Sequence, residues 1–318
     1  MILALILGTR CNAACGHCST SCGPTRTEVM AEETIVRLMG EAAAASTGEP
    51  LKFALSGGEP FLDLPMLLRV IAHGHRLGGE VTCVSNGYWA TSPEKARSVL
   101  QSVKGAGLTK LGLSASRFHQ EFVKLKRVER ALAAGREVGL HCTVKYARPA
   151  SDPLDEEAIR AWALAAGANE VQIFAVMPHL RAGLTLPEAE YERTEGIPTG
   201  TCPAAIFTVR ENGDAFTCCT PGSDIPFFSL GNANEARFDE LLDRYYAGGV
   251  QQILRDEGPI HFARAAAARG LANRLRPSYA DVCDLCTHIA NDPQLAAVAA
   301  ECAEELETRQ IHDLLAEV

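Results

Sequence analysis

Apolar and polar positions follow two alternating patterns along the first half of the chain, one typical of buried strands and one typical of amphipathic helices. Residues 2–8 form an uninterrupted apolar run, as expected of a parallel strand that is buried on both faces. Further strands are predicted at residues 52–55, 80–85, 110–114, 140–145 and 170–176. Helices are predicted between them at residues 31–45, 65–77, 92–103, 122–138 and 155–166.

Six strand–helix repeats of this kind predict the α/β fold class, with a parallel sheet, curled or open, and helices outside it. Right-handed crossovers place every strand-to-helix loop at the carboxyl edge of such a sheet, where ligands bind. Four features of the sequence fall on that edge: a cysteine-rich loop after the first strand, Gly57-Gly58, Asn86-Gly87 and Ser114.

The periodic pattern breaks after residue 177. Residues 178–201 are rich in proline and glycine and are predicted to be a linker between a first domain, residues 1–177, and a second, residues 202–318. The sequence Asn212-Gly213 predicts a hairpin turn between strands at residues 205–210 and 215–218. Helices are predicted at residues 234–246, 249–256 and 295–315. A domain this small and irregular suits a unit held together by metal.

Composition and charge exclude several classes of protein. Hydrophobic residues make up 47% of the 318 positions, which is enough for a sizeable core. The net charge of −9 gives no general attraction to nucleic acid or to an acidic membrane, so neither is a predicted partner. The longest apolar run, residues 1–7, is far shorter than the roughly 18 residues of a membrane span and lacks the flanks of a signal peptide. We therefore expect a cytoplasmic protein.

The chain contains 12 cysteines, and their placement is informative. In a reducing compartment, clustered cysteines are more often metal ligands or redox groups than disulfides. Three groups are found, with three further cysteines standing alone: Cys11, Cys15, Cys18 and Cys22; Cys202, Cys218 and Cys219; Cys283 and Cys286; and, singly, Cys83, Cys142 and Cys302.

The first group has the spacing C-x3-C-x2-C, formed by Cys11, Cys15 and Cys18, directly after the first strand. Three thiolates on a tight loop can hold three irons of a [4Fe–4S] cluster and leave the fourth iron without a protein ligand. An open metal position distinguishes a reactive site from a closed structural one. The alternative is a zinc site or a set of buried thiols.

With this spacing and position, the sequence resembles the radical S-adenosylmethionine (SAM) superfamily. The resemblance implies a partial (β/α)6 barrel, similar to a TIM barrel, in which Cys11, Cys15 and Cys18 bind the cluster. It also implies that SAM chelates the free iron and that one electron, from a flavodoxin- or ferredoxin-type donor, splits SAM into methionine and a 5′-deoxyadenosyl radical. His17 stands where the family usually has an aromatic residue, and Cys22 has no place in the motif.

Other residues at the same edge agree with the family. Leu55-Ser-Gly-Gly-Glu59-Pro60 matches the family's Gly-Gly-Glu motif, so Gly57, Gly58 and Glu59 are expected near the methionine end of SAM, where a carboxylate suits an ammonium group. By the same resemblance, Ser85, Asn86 and Ser114 are expected to contact the carboxylate or the ribose. Lys145, at the end of a strand, is a candidate to neutralise the carboxylate. For these last four positions, an ordinary strand end is the alternative.

The second and third cysteine groups resemble a twitch domain, the shortened relative of the SPASM domain. The resemblance implies one auxiliary [4Fe–4S] cluster, held by Cys202, Cys218, Cys283 and Cys286. A structural zinc site would use the same four ligands.

Cys219 then remains next to a ligand. Since neighbours in a strand point to opposite faces, Cys219 is expected to face the barrel mouth if Cys218 faces the cluster. The alternative is a buried thiol that behaves as a small hydrophobic residue.

A narrower resemblance links the chain to radical SAM epimerases, which convert L- to D-residues in peptides. It is carried by Arg10-Cys-Asn, Ser85-Asn-Gly-Tyr-Trp89, Ser114 to His119, and Cys218-Cys-Thr-Pro221. It implies that Cys219 is the hydrogen-atom donor. The chain departs from these enzymes at Ser116 and Ile206, where they have acidic residues. His119 and Glu121 are candidate substrate contacts, or else caps of the following helix.

The leading hypothesis is therefore an isomerase that epimerises a ribosomally synthesised peptide. The alternatives are net oxidation, either peptide cross-linking or desaturation or dehydrogenation of a small alcohol, with the auxiliary cluster as electron acceptor, and a binding module with structural iron or zinc.

Overall fold

A six-stranded parallel sheet organises the first part of the chain in the computed structural model, which describes residues 1–46, 48, 50–202, 206–219 and 224–316, with side chains to residue 312. The strands run in sequence order, each paired in parallel with the next. They are β1 (Ile2–Ile6), β2 (Lys52–Ser56), β3 (Glu80–Ser85), β4 (Leu108–Ser114), β5 (His141–Arg148) and β6 (Glu170–Ala175). The predicted α/β fold class is confirmed.

Helices follow the strands as predicted, and their ends are set by local signals. Asp63, Ser92 and Asp155 accept hydrogen bonds at the N-termini of three helices, and proline occupies the first turn of two of these. The helices are α1 (Glu32–Ala45), α2 (Leu64–Arg76), α3 (Pro93–Gly105), α4 (Arg117–Gln120), α5 (Leu125–Val138), α6 (Glu156–Ala166) and α7 (Arg181–Thr185).

The single helix predicted at residues 122–138 is wrong at its start. The backbone N–H groups of Phe122 and Val123 both donate to the carbonyl of His119, which closes the short helix α4. The following helix, α5, therefore begins only at Leu125. The break leaves Phe118 and His119 on a separate turn beside the cysteine loop.

The chain divides into two compact units. The first contains residues 1–191 and 208–213, and the second contains residues 192–207 and 214–318. Residues 178–191, which the sequence predicted as part of a linker, are therefore packed within the first unit. The proposed domain boundary at residue 177 stays a prediction.

Short strands and helices build the second unit, with β7 pairing β11 and β9 pairing β10, both antiparallel. Their core includes Phe216, Phe228, Phe262 and Tyr279. The remaining elements of the chain are β7 (Thr194–Glu195), β8 (Phe207–Val209), β9 (Asp214–Phe216), β10 (Ser229–Asn232), β11 (Ser278–Tyr279), α8 (Phe238–Ala247), α9 (Gly249–Asp256), α10 (Ile260–Ala268), α11 (Val282–Asn291) and α12 (Pro293–Ala316).

Two of these helices, α10 and α11, lay outside the predicted elements. Strands β8 and β9 flank Asn212-Gly213 as predicted, whereas residue 205 of the predicted hairpin lies outside the described residues. Among the described helices, none combines the length and the apolar composition that crossing a membrane requires.

Candidate functional site

The loop that follows β1 carries the cysteine triad and is closed by its own backbone. The N–H groups of Thr9 and Cys11 donate to the carbonyls of Glu28 and Gly23, at 2.9 and 3.1 Å, and Gly23 donates back to Thr9 at 3.1 Å. The two ends of the loop are thus tied together at the carboxyl end of β1. This closure buries the thiols of Cys11 and Cys15, whereas Cys18 is partly buried.

Burial disfavours the charged thiolate forms of Cys11 and Cys15. It raises the pKa of Cys11 to about 11 and, with the nearby charges of Cys18 and Cys11 adding to it, that of Cys15 to about 12. Hydrogen bonds, first from the Cys22 thiol and then from Thr20 and backbone N–H groups, instead lower the pKa of Cys18 to about 5. The three thiols lie in one apolar pocket, and the charge of each influences the pKa of its neighbours. Such a donor set suits a cationic metal centre, which would displace the protons of the thiols.

The fourth thiol of the loop, Cys22, is buried and hydrogen-bonded. Its sulfur lies 3.0 Å from the Thr20 hydroxyl, and its backbone N–H donates to the sulfur of Cys18 at 3.4 Å. Cys22 therefore helps to hold the sulfur of Cys18 in place.

The glycines of the Gly-Gly-Glu motif pack against the backbone of the cysteine loop. Gly57 has φ +128°, and a Cβ on Gly58 would lie 1.9 Å from the carbonyl oxygen of Arg10. The N–H of Gly58 donates to Gly8 at 2.8 Å, and that of Glu59 donates to Arg10 at 3.0 Å. The close approach that requires glycine here is thus between two loops of the chain itself.

Glu59 is buried, with 4% of its surface exposed, and both of its oxygens are engaged. Oε1 accepts from the Ser85 hydroxyl at 2.8 Å and from the N–H of Phe61 at 3.2 Å, while Oε2 accepts from the N–H of Asn86 at 2.7 Å. Burial raises the pKa of Glu59 to about 7, against these hydrogen bonds, which favour the charged form. In this arrangement Glu59 holds the end of β3 in place.

Substitution of Glu59 tests this role. In Glu59→Gln, one amide N–H₂ opposes a buried donor, so we expect the free energy of unfolding to fall by about 1–3 kcal/mol. Glu59→Ala leaves all three donors without an acceptor, so we expect a larger loss in the free energy of unfolding. Urea denaturation of both variants measures the loss, with Glu41→Gln, an exposed residue paired with Arg37, as the control. Equal stability of Glu59→Gln and the natural chain would contradict the assignment.

Asn86 connects this network to the triad. Its Nδ2 donates to Oδ1 of Asn12 at 2.8 Å and lies 3.9 Å from the sulfur of Cys11, and its Oδ1 accepts from the N–H of Tyr88 at 3.0 Å. The hydroxyl of Ser85 also accepts from the indole of Trp89 at 2.9 Å. Glu59, Ser85 and Asn86, predicted separately, are therefore brought together beside Cys11.

Ser114 and Lys145 lie on neighbouring strands, directly opposite each other in the register of β4 and β5. The ammonium group of Lys145 donates to Oε1 of Gln172 on β6 at 3.0 Å. Because side chains alternate along a strand, Lys145 shares a face with Ala147, which packs in the same apolar group as Cys11 and Cys15. Both residues thus line the sheet face that continues to the cysteine loop, and their contact with SAM stays a prediction.

Two histidines and a phenylalanine pack beside the triad. The ring of His17 stacks on Phe118 at 4.8 Å and meets the ring of His119 edge-on at 4.7 Å. The Nδ1 of His119 lies 2.7 Å from the Ser116 hydroxyl, and ligand atoms of Cys15, His17 and His119 lie within 4.8 Å of one another. Burial lowers the pKa of both histidines, that of His17 to about 4, so both rings are neutral. Glu121 is exposed.

The segment after β6 contacts the cysteine loop, which the sequence did not predict. Arg181 donates from Nη1 to the carbonyl of Cys15 at 3.1 Å and from Nη2 to the carbonyl of Cys22 at 2.6 Å. Leu186 packs against Gly16, and Tyr191 is buried in the same apolar group. No local signal marks these residues, because their partners lie about 160 positions earlier in the chain.

The other cysteines meet in the second unit, around a cavity lined by apolar residues. Cys283 and Cys286 lie one turn apart on α11, whose N-terminus is capped by Asp281 through hydrogen bonds of 2.9 Å from Cys283 and Asp284. This helix was not predicted, although Asp281, two residues before the Cys-x2-Cys pair, is a sequence signal for a helix start that could have indicated it. The cavity is lined by five cysteines: Cys202, Cys218, Cys219, Cys283 and Cys286.

The predicted separation of Cys218 and Cys219 onto opposite faces of a strand is wrong. Strand β9 ends at Phe216, so residues 217–219 form a bend to which strand alternation does not apply. Both cysteines line the cavity. The pKa of Cys218 is raised, mainly by its hydrogen bond with Cys219 and secondly by burial. Thr220 and Pro221, which completed the motif, lie outside the described residues.

Comparison with known proteins agrees with this geometry. Residues 5–137 match the family described as the Radical SAM superfamily. YydG of Bacillus subtilis (strain 168), whose name provisionally assigns it to peptide biosynthesis, is 25% identical over 267 residues, covering 80% of this chain and 81% of YydG.

Solved structures show the same fold. The structure of anSMEcpe with bound AdoMet and Cp18Cys peptide has a TM-score of 0.55 and 15% identity, covering 76% of this chain and 80% of anSMEcpe. SuiB of Streptococcus suis bound to S-adenosylmethionine has a TM-score of 0.59 and 15% identity, covering 77% of this chain and 65% of SuiB. The partial barrel predicted from the sequence is therefore confirmed.

Proposed function

We propose that this chain is a radical SAM enzyme that epimerises residues of a ribosomally synthesised peptide, with Cys219 as the hydrogen-atom donor. The observation that carries the proposal is the convergence of the Cys11–Cys15–Cys18 triad with the Glu59–Ser85–Asn86 network at one edge of the barrel.

The triad would hold a [4Fe–4S] cluster at three of its four irons, since its thiols share one buried pocket. When bound, the cluster and SAM supply a 5′-deoxyadenosyl radical, which removes a hydrogen atom from a substrate carbon. Gly57 and Gly58 bring the second loop against the backbone of the first, and Glu59 fixes the end of β3. Ser114 and Lys145 offer a hydroxyl and a cation on the adjoining sheet face.

Cys219 would complete the inversion. Its thiol gives one hydrogen atom to the planar substrate radical from the face opposite the abstraction, forming a C–H bond and leaving a thiyl. One electron and one proton then restore the thiol. Cys202, Cys218, Cys283 and Cys286 line the same cavity as Cys219 and would hold an auxiliary [4Fe–4S] cluster that supplies this electron.

A peptide is the substrate class that the relatives support. The name of YydG refers to peptide biosynthesis, and the anSMEcpe structure contains a bound peptide. YydG matches this chain over most of both lengths, so its similarity extends beyond the barrel.

Isotope incorporation tests the proposed reaction. In deuterated water the thiol of Cys219 carries deuterium, so each inverted residue is expected to gain one deuterium with no other change of mass. Mass spectrometry and chiral amino-acid analysis of the product measure both quantities. The precursor peptide, incubated without SAM, is the control. An inverted product without solvent deuterium would contradict the donor role.

Net oxidation is the second candidate, favoured by one observation. Since Cys219 shares the cavity of the four other cysteines, an electron removed from a substrate radical can pass to a cluster held there. The product would then be a cross-linked or desaturated peptide, or a dehydrogenated small alcohol. Product mass distinguishes the two reactions, because oxidation removes two hydrogens and epimerisation removes none.

A further inference from the structure

We propose that Arg181 is a positioning residue of the cysteine loop and that its charge raises the reduction potential of the cluster bound there. The inference rests on the proposed function to the extent that the triad holds a cluster. Arg181 lies in residues 178–201, which the sequence predicted only as a linker.

Arg181 bridges two points of the loop with one guanidinium group. The carbonyl of Cys15 accepts from Nη1 at 3.1 Å, and that of Cys22 accepts from Nη2 at 2.6 Å. Cys18 lies between these two residues in the chain, so the bridge spans the stretch that carries the last two cysteines of the triad. A planar guanidinium group can make both hydrogen bonds at once and remains charged, whereas an ammonium group lacks this fixed geometry.

The residues after Arg181 also contact the cysteine loop and its apolar surroundings. Leu186 lies over Gly16, where an added Cβ would be 3.2 Å from its side chain. The Thr185 hydroxyl donates to the carbonyl of Arg181 at 2.8 Å and lies 3.5 Å from the Gly16 carbonyl. The Tyr191 hydroxyl donates to the carbonyl of Ala182 at 2.7 Å. Ala182 and Tyr191 are buried in the apolar group that contains Cys11 and Cys15.

Backbone strain marks the same contact from both sides. Among the described residues, Ser21 (φ +50°) and Leu180 (φ +46°) are the two non-glycine residues with positive φ. Ser21 precedes Cys22, and Leu180 precedes Arg181, so each is adjacent to one partner of the same hydrogen bond. Such strain persists only where the surrounding structure imposes it, and it is concentrated at functional sites.

A fixed positive charge beside a cluster stabilises the reduced, more negative state. Side-chain charges near iron–sulfur clusters are among the factors that set their potentials, and interactions between charges are stronger in a poorly hydrated pocket than in water. The guanidinium group of Arg181 binds backbone carbonyls of the cysteine loop and leaves the cysteine sulfurs available to iron.

Two substitutions separate charge from geometry. Arg181→Gln removes the charge, and Arg181→Lys keeps it. After anaerobic reconstitution, a redox titration follows the electron paramagnetic resonance signal that changes when SAM is added. In Arg181→Gln we expect the ratio of reduced to oxidised cluster at a fixed potential to fall about tenfold, which corresponds to about 59 mV for one electron. Arg181→Lys should stay close to the natural chain.

Arg160→Gln is the matched control, because Arg160, on α6, also donates to a backbone carbonyl, that of Val171 on β6, at 3.0 Å. It should leave the potential unchanged. An unchanged potential in Arg181→Gln overturns the proposal. If Arg181→Gln fails to retain iron, retention by Arg181→Lys at the natural potential supports it, and loss from both variants overturns it. Absence of any cluster from the natural chain would instead contradict the proposed function.

Discussion

Replacement of Cys15 by serine is expected to reduce reductive cleavage of SAM by about 10³-fold or more, equivalent to about 4 kcal/mol in the activation free energy. Cys15 lies in the buried pocket of the triad, and a hydroxyl in its place is a poor ligand for iron. Anaerobically reconstituted protein should lose about four iron atoms per chain. Iron analysis and formation of 5′-deoxyadenosine measure both effects.

Cys22→Ser provides a control within the same loop. Cys22 is buried, as Cys11 and Cys15 are, and hydrogen-bonds to Cys18 and Thr20, yet it has no place in the ligand motif. Since serine can still form a hydrogen bond with Thr20, we expect this variant to retain its iron and to cleave SAM. Equal losses in the two variants would show that packing of the loop, and not ligation by Cys15, explains the result.

Replacement of Cys219 by alanine is expected to lower the yield of epimerised peptide by about 10²-fold or more while SAM cleavage continues. Alanine has no hydrogen that a carbon radical can readily abstract, so the substrate radical is formed but is not quenched. Chiral analysis of the peptide and quantification of 5′-deoxyadenosine in the same reaction separate the two steps.

Cys218 offers the adjacent control, since both thiols line one cavity. Cys218→Ser should lose the auxiliary iron, about four atoms per chain, whereas Cys219→Ala should keep it. The reverse pattern of iron loss would exchange the roles of the two cysteines. Loss of SAM cleavage in Cys219→Ala would argue against a role confined to quenching.

The proposed site combines features with different origins in the sequence. The spacing of Cys11, Cys15 and Cys18 after an apolar run placed the triad correctly on the loop after β1. Glycine at positions 57 and 58 was expected for close approach to a ligand, but the groups these glycines approach most closely are backbone carbonyls of the chain, that of Gly8 for Gly57 and that of Arg10 for Gly58. Glu59 was expected to face an ammonium group, whereas three donors of the chain occupy its oxygens.

By itself, the sequence determined the alternation of strands and helices in residues 1–177, the parallel sheet and the edge at which the triad lies, because these follow from local periodicity and from the handedness of crossovers. Only the tertiary structure decided which groups surround the cysteines. Arg181 donates a hydrogen bond to the carbonyl of Cys15, which lies 166 residues earlier in the chain. Cys219 lines the same cavity as Cys218 because β9 ends before these two residues. Such contacts depend on how distant segments pack, which no local pattern records.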